Sequence, residues 1–270
     1  MASRVLKSAM VALGLCLAVP DGLAAGFSSP STSATEAPNF RPEQIIAFAK
    51  KVERTIAARG ARVALVSRVG VPPAEMPPGM HFSHVGFAVY SQITTAQGAK
   101  VPGYAMYNLY QSDEHPDRSS LVQDYPADFF AAVVALEAGV IIPSEELQRR
   151  LLEVIASPTY AALHNPRYST IANPYTLDLQ NCTEFVLDVL TSAIYRTADI
   201  GRIKAAERAY FVPQPVNVDP IKLLVGSMFS PGVAISDHPG APVTATYERI
   251  VDFIRKYDAG SDNLVVTPDR

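Results

Sequence analysis

Cysteine is almost missing from this 270-residue sequence, which holds two, Cys16 and Cys182. Cys16 falls in a stretch built like a cleaved export signal. Arg4 and Lys7 form a basic start, Ala9 to Val19 an apolar run, and Gly22-Leu23-Ala24-Ala25 a small-residue cleavage site. Loss of residues 1–25 leaves Cys182 as the single thiol, which excludes an internal disulfide and flags that thiol as reactive in an oxidising compartment. A long apolar run is also lacking. The one present is too short to span a bilayer comfortably, so the expectation is a periplasmic or secreted protein with no stable membrane span. Cys16 is preceded by Leu15 and followed by more apolar residues, which argues against lipidation there.

An excess of either charge is absent: 23 Lys and Arg face 26 Asp and Glu, a formal net charge of −3. That near balance, with the basic residues scattered, excludes a nucleic-acid partner of the electrostatic kind. Apolar residues make up 48 % of the chain, which excludes disorder throughout. No internal repeat is present. The histidines His81, His84, His115 and His164 do not follow a zinc-ligand spacing, so no metal is expected, and nothing calls for a cofactor.

What remains is enough for one domain of moderate size. Residues 26–41 are rich in Ser, Thr and Pro and read as a flexible linker. From Glu43 to Arg59, Ile45, Ala49, Val52 and Ile56 recur at helical spacing. Strands are predicted at Arg62 to Arg68, at His84 to Tyr90 and at Tyr104 to Tyr110, the last two as an antiparallel ribbon. In His84 to Tyr90 the residues Val85, Phe87 and Val89 face one way, and His84, Gly86 and Ala88 the other. A short helix from Asp128 to Glu137, a strand from Gly139 to Ile142 and a helix opened by Pro143-Ser144-Glu145-Glu146 follow. Helices over Ile200 to Tyr210 and Tyr247 to Tyr257 flank an apolar run from Pro220 to Phe229. The class is α+β: a small antiparallel sheet against several helices, with residues 42–270 as one domain carrying a helical C-terminal extension.

The chemistry centres on Gln180-Asn181-Cys182-Thr183-Glu184-Phe185-Val186. Asn181 is a favoured N-cap, and Glu184 is spaced to reach back to the Asn181 N–H as in a capping box. Cys182 then sits in the first turn of a helix, where the dipole favours a thiolate. Thiol catalysis also needs a base, a group that orients the base, and an oxyanion donor. His84 on its strand supplies the base, Asn108 on the neighbouring strand orients it, and the Cys182 backbone N–H donates to the oxyanion. Tyr168, in the loop before the cysteine, is a further donor candidate, and Tyr175 a weaker one. The plainer alternative makes Cys182 a small core hydrophobe and His84 a structural residue.

The strand Ser83-His84-Val85-Gly86-Phe87-Ala88-Val89, followed much later by Asn181-Cys182-Thr183-Glu184-Phe185-Val186, resembles the circularly permuted branch of the papain-like, NlpC-type superfamily. Lecithin:retinol acyltransferase-like proteins share that order, with the histidine strand before the cysteine helix. The stretches Arg62 to Arg68, Phe82 to Val89, Tyr107 to Tyr110 and Pro166 to Leu190 also look like an exported bacterial family with no assigned function. The superfamily resemblance implies a permuted papain-like fold and a catalytic Cys182, His84 and Asn108. It further implies hydrolysis of an amide or ester, with a cell-wall peptide or a lipid as substrate. Two alternatives stay open: a lipid acyltransferase, and an envelope binding or structural module that keeps the fold without turnover.

Overall fold

The computed structural model describes residues 39–94, 97–218 and 232–269. The export signal, most of the linker and the apolar run from Pro220 to Phe229 lie outside the described residues. Among those described, six antiparallel strands form one sheet against seven helices, the α+β architecture expected.

The chain enters through α1 (Pro42–Ala57) and passes into β1 (Val63–Arg68). All six residues of β1 are buried, as β-branched and apolar side chains covered on both faces should be. The hairpin β2 (His84–Thr94) and β3 (Lys100–Gln111) follows, with Phe87 opposite Tyr107. Both strands run several residues further toward the turn than the alternation predicts. β4 (Ser119–Asp124) forms where the sequence predicts no element, and α2 (Pro126–Phe129) is a single turn in place of the helix expected from Asp128 to Glu137. The helix stops because Val69 takes the chain back: Val134 N–H donates to the Val69 carbonyl, and Ala135 bridges to Val69.

β5 (Ala138–Ile142) then pairs with β1, and α3 (Glu145–Ile155) starts at the Ser144 cap. α4 (Pro158–Ala162) and a long loop lead to α5 (Cys182–Tyr195), followed by α6 (Ile200–Tyr210). A two-strand ribbon, β6 (Gln214–Pro215) with β7 (Val243–Thr244), precedes α7 (Tyr247–Tyr257). Last, β8 (Asp262–Val266) adds to the sheet beside β5, so the C-terminal region contributes a strand as well as helices. The strand order is β4-β3-β2-β1-β5-β8.

Strand alternation gives the sheet two apolar faces. Val63, Leu65, Val85, Phe87 and Leu109 pack with α5, α3 and α7. Ala64, Val66, Ala88, Met106 and Val140 pack with α1 and with Phe129 and Phe130. α5 is buried on every side from Cys182 to Ala193, which explains why its sequence is apolar around most of its circumference.

Candidate active site

The end of the sheet where β2 begins holds a buried polar network. Arg68 closes β1 directly opposite His84. Gly86 provides the space for Asn108: a Cβ at Gly86 would lie 2.2 Å from Asn108 Oδ1 and 3.1 Å from the Tyr107 carbonyl. Asn108 Nδ2 donates to Asp124 Oδ1 at 2.8 Å, and the Tyr110 hydroxyl donates to Asp124 Oδ2 at 2.8 Å. A carboxylate only accepts, so the amide nitrogen belongs on the Asp124 side and Oδ1 on the side of His84. Asn108 Oδ1 lies 3.4 Å from His84 Nε2. Since that oxygen also only accepts, Nε2 carries the ring proton and Nδ1 keeps its lone pair. Nδ1 has no hydrogen-bond partner, although the residue is 1 % exposed.

The His84 ring stacks on Tyr110 at 5.0 Å and leans on Phe129 at 5.4 Å. The Arg68 guanidinium lies over the same two rings and donates to the Phe129 carbonyl. Burial, then the Arg68 charge, hold the imidazole pKa well below its ordinary value, while the bond to Asn108 opposes them. The ring is therefore neutral at pH 7 and a weaker base than a free imidazole.

Asp124 behaves oppositely: burial lifts its pKa to about 6, against the pull of the Tyr110 hydroxyl and Arg68. A carboxyl whose folded pKa exceeds its unfolded value favours folding below the unfolded pKa and loses that contribution as pH rises through the folded one. Stability should therefore fall between about pH 4 and pH 6 by an amount on the order of 2–3 kcal/mol from this group. Asp124→Asn should flatten that slope in urea denaturation measured across the window.

Cys182 is the first residue of α5, and Asn181 caps the helix as expected, accepting from the Glu184 N–H at 2.8 Å. The Asn181 amide also donates to the Thr170 carbonyl at 3.1 Å and to Thr244 Oγ1 at 2.9 Å, tying the helix start to two loops. The Glu184 carboxylate does not complete a capping box; it turns to Lys204 at 2.8 Å. Cys182 Sγ sits 3.8 Å from Thr183 Oγ1. Burial raises the thiol pKa, and it outweighs the Thr183 hydroxyl, the backbone N–H groups of Val85 and Thr183, and the Arg68 charge, all of which favour the thiolate. A cavity of about 30 Å³ adjoins the thiol, lined by Tyr168, Asn181 and Thr183 with Met76, Met80 and Phe82 above.

Of the four residues singled out in the sequence, the fold joins His84 to Asn108 and places Tyr168 on the same small cavity as Cys182. It does not hydrogen-bond Cys182 to His84. The thiol rests against the Val85 backbone, one residue along, and belongs to the core beneath α5, whereas the ring packs with Phe129 on the α1 side. Tyr175 gives its hydroxyl to the Phe211 carbonyl at 2.8 Å. His81 pairs with Glu137 at 3.0 Å and His164 with Ser119 at 3.0 Å, so these histidines take separate partners.

Sequence reasoning missed Arg68 and Asp124. Arg68 ends a strand that is otherwise apolar or small, a position where an arginine is either a solvated end or a buried functional group; only β2 pairing and Phe129 decide between them. Asp124 lies on β4, where the sequence predicts no element. A family model described as an uncharacterized protein conserved in bacteria (DUF2145) matches residues 55–254, and the chain belongs to that family. No curated protein matches, and no solved structure does.

Proposed function

We propose that the chain is an exported thiol hydrolase of permuted papain-like type, acting on an amide or ester, with a cell-wall peptide as the first substrate class. The observation that carries this reading is the unpartnered Nδ1 of His84, a buried imidazole lone pair whose tautomer is fixed through Asn108 by Asp124. A structural histidine gains stability by using both nitrogens; a general base needs one left free. The resemblance of the His84 strand and the Cys182 helix to papain-like enzymes supports the same assignment, and residues 1–25 support a periplasmic or secreted location.

In the proposed reaction the Cys182 thiol gives its proton to His84 Nδ1 as sulfur bonds to the substrate carbonyl carbon. The Cys182 backbone N–H donates to the oxyanion, with Tyr168 on the same cavity as the second donor candidate. His84 then returns the proton to the leaving amine or alcohol, and water releases the acid from the thioester. Asn108 keeps the ring in the required tautomer. In the resting protein thiol and imidazole are both neutral and lie on opposite faces of β2, so the proposed transfer requires the start of β2 around Val85 to rearrange as substrate enters. No cofactor takes part.

A second reading, a non-catalytic envelope module, is favoured by one feature: Arg68 is fully buried beside His84, and its charge opposes the imidazolium that catalysis requires. A lipid acyltransferase shares the covalent step and differs only in the acceptor. Incubation with p-nitrophenyl esters, followed by intact mass spectrometry, separates the classes. The hydrolase reading expects an acyl adduct on Cys182 that is lost in Cys182→Ala and slowed at least about a hundredfold in His84→Ala. Absence of any adduct on the folded protein favours the module.

A further inference from the structure

A second pocket, of about 310 Å³, opens between α5, α6 and the loop before the cysteine, and its floor is an ion cluster. Lys204, 2 % exposed, donates to the Pro174 carbonyl at 3.1 Å, to Glu184 Oε1 at 2.8 Å and to Asp188 Oδ1 at 2.6 Å. Its three N–H groups are thereby used. Glu207, on α6, adds a third carboxyl at 3.1 Å from the same ammonium. Glu184 lines the pocket, is 1 % exposed, and has a second oxygen, Oε2, with no hydrogen-bond partner. Leu163, Leu177 and Ile200 supply an apolar part of the wall, beside the polar Asn165, Arg167 and Thr176.

We propose that this pocket binds the primary ammonium end of a small unbranched amine, with Glu184 Oε2 as its acceptor. Lys204 spends its three N–H groups on other acceptors, so Glu184 Oε2 is left without a donor. An anion entering it would meet carboxyl oxygens, whereas an ammonium supplies the missing donor. The methylene chain of the amine lies along the leucine and isoleucine wall.

Binding exchanges a proton for the ligand. Burial and the neighbouring Asp188 raise the Glu184 pKa to about 8 despite the pull of Lys204, so the free site holds a protonated Glu184 at neutral pH. The groups facing it are Lys204 and Glu207 from α6, Asp188 from α5, and Asp237 from the segment beyond; His164 and Arg167 stand at the rim. The incoming ammonium keeps its own protons, and the Glu184 proton leaves to solvent.

The test is isothermal titration of the full chain with n-pentylammonium chloride in two buffers of different ionisation enthalpy. The expected result is a dissociation constant of about 1 mM or tighter, with release of about one proton at pH 7 and affinity rising about tenfold from pH 6 to pH 7. Glu184→Gln should weaken binding at least about tenfold. Leu177→Trp, at a wall position that is 57 % exposed, should block the pocket without touching the cluster and decides the matter if the first variant does not fold. Failure of the wild type to bind, equal binding of 1-pentanol, affinity independent of pH, or unchanged binding by the variants overturns the proposal.

Discussion

Lys204→Met should destabilise the protein by about 3–5 kcal/mol, because it leaves buried carboxylates without their counter-ion. Lys204 is the one cation contacting Glu184, Asp188 and Glu207 among the described residues, and it pins α6 to the first two turns of α5. The three acids hold its own pKa well above the usual lysine value, so its charge is present throughout the accessible range. The loss should depend on pH. Glu184, with a folded pKa of about 8, favours folding below its unfolded value and loses that contribution as pH rises through about 8. Removing the ammonium pushes Glu184 further up. The variant should therefore lie closest to wild type near pH 5 and furthest from it near pH 8, as read by urea denaturation at both. Adding Glu184→Gln and Asp188→Asn to Lys204→Met should recover much of the loss.

Gly86→Ala is the second substitution with a large expected effect, about 3 kcal/mol in stability. The added methyl would come 2.2 Å from Asn108 Oδ1, and the Tyr107 carbonyl at 3.1 Å restrains β3 from giving way. Asn108 must swing off His84, which frees Nε2 and lets either tautomer form. Thermal denaturation should show the stability loss. A ¹⁵N spectrum of the imidazole should show mixed protonation in Gly86→Ala, against a single Nε2–H tautomer in wild type.

The sequence made legible those parts of the fold that depend on local periodicity. The helices from Ile200 to Tyr210 and from Tyr247 to Tyr257 appear with their expected ends, and Asn181 caps α5. β4 was not legible, because Ser119 to Asp124 sits at the sheet edge with one of its six residues buried and little alternation to mark it. The helix expected to Glu137 failed for a tertiary reason: the Val69 backbone captures Val134 and Ala135. At the candidate site, His84 beside Asn108 was readable from strand order alone. At Gly86 the missing side chain leaves room for the Asn108 side chain. What sequence could not give was which side of β2 each group would occupy, since that depends on where α5 lands on the sheet. Glu184 shows the same limit: its spacing fits a capping box, yet a lysine 20 residues away in sequence takes its carboxylate.

The most direct measurement of the central claim, that His84 acts as base for Cys182, is the rate of iodoacetamide labelling of the folded protein, site-resolved by mass spectrometry. Local opening around the Cys182 cavity without global unfolding should label wild-type Cys182 faster than the protein unfolds. His84→Ala should slow that labelling at least about tenfold near pH 7, where the imidazole is the available base. If Cys182 is labelled only at the rate of global unfolding, and equally in wild type and His84→Ala, the thiol is a core residue and the catalytic account is wrong.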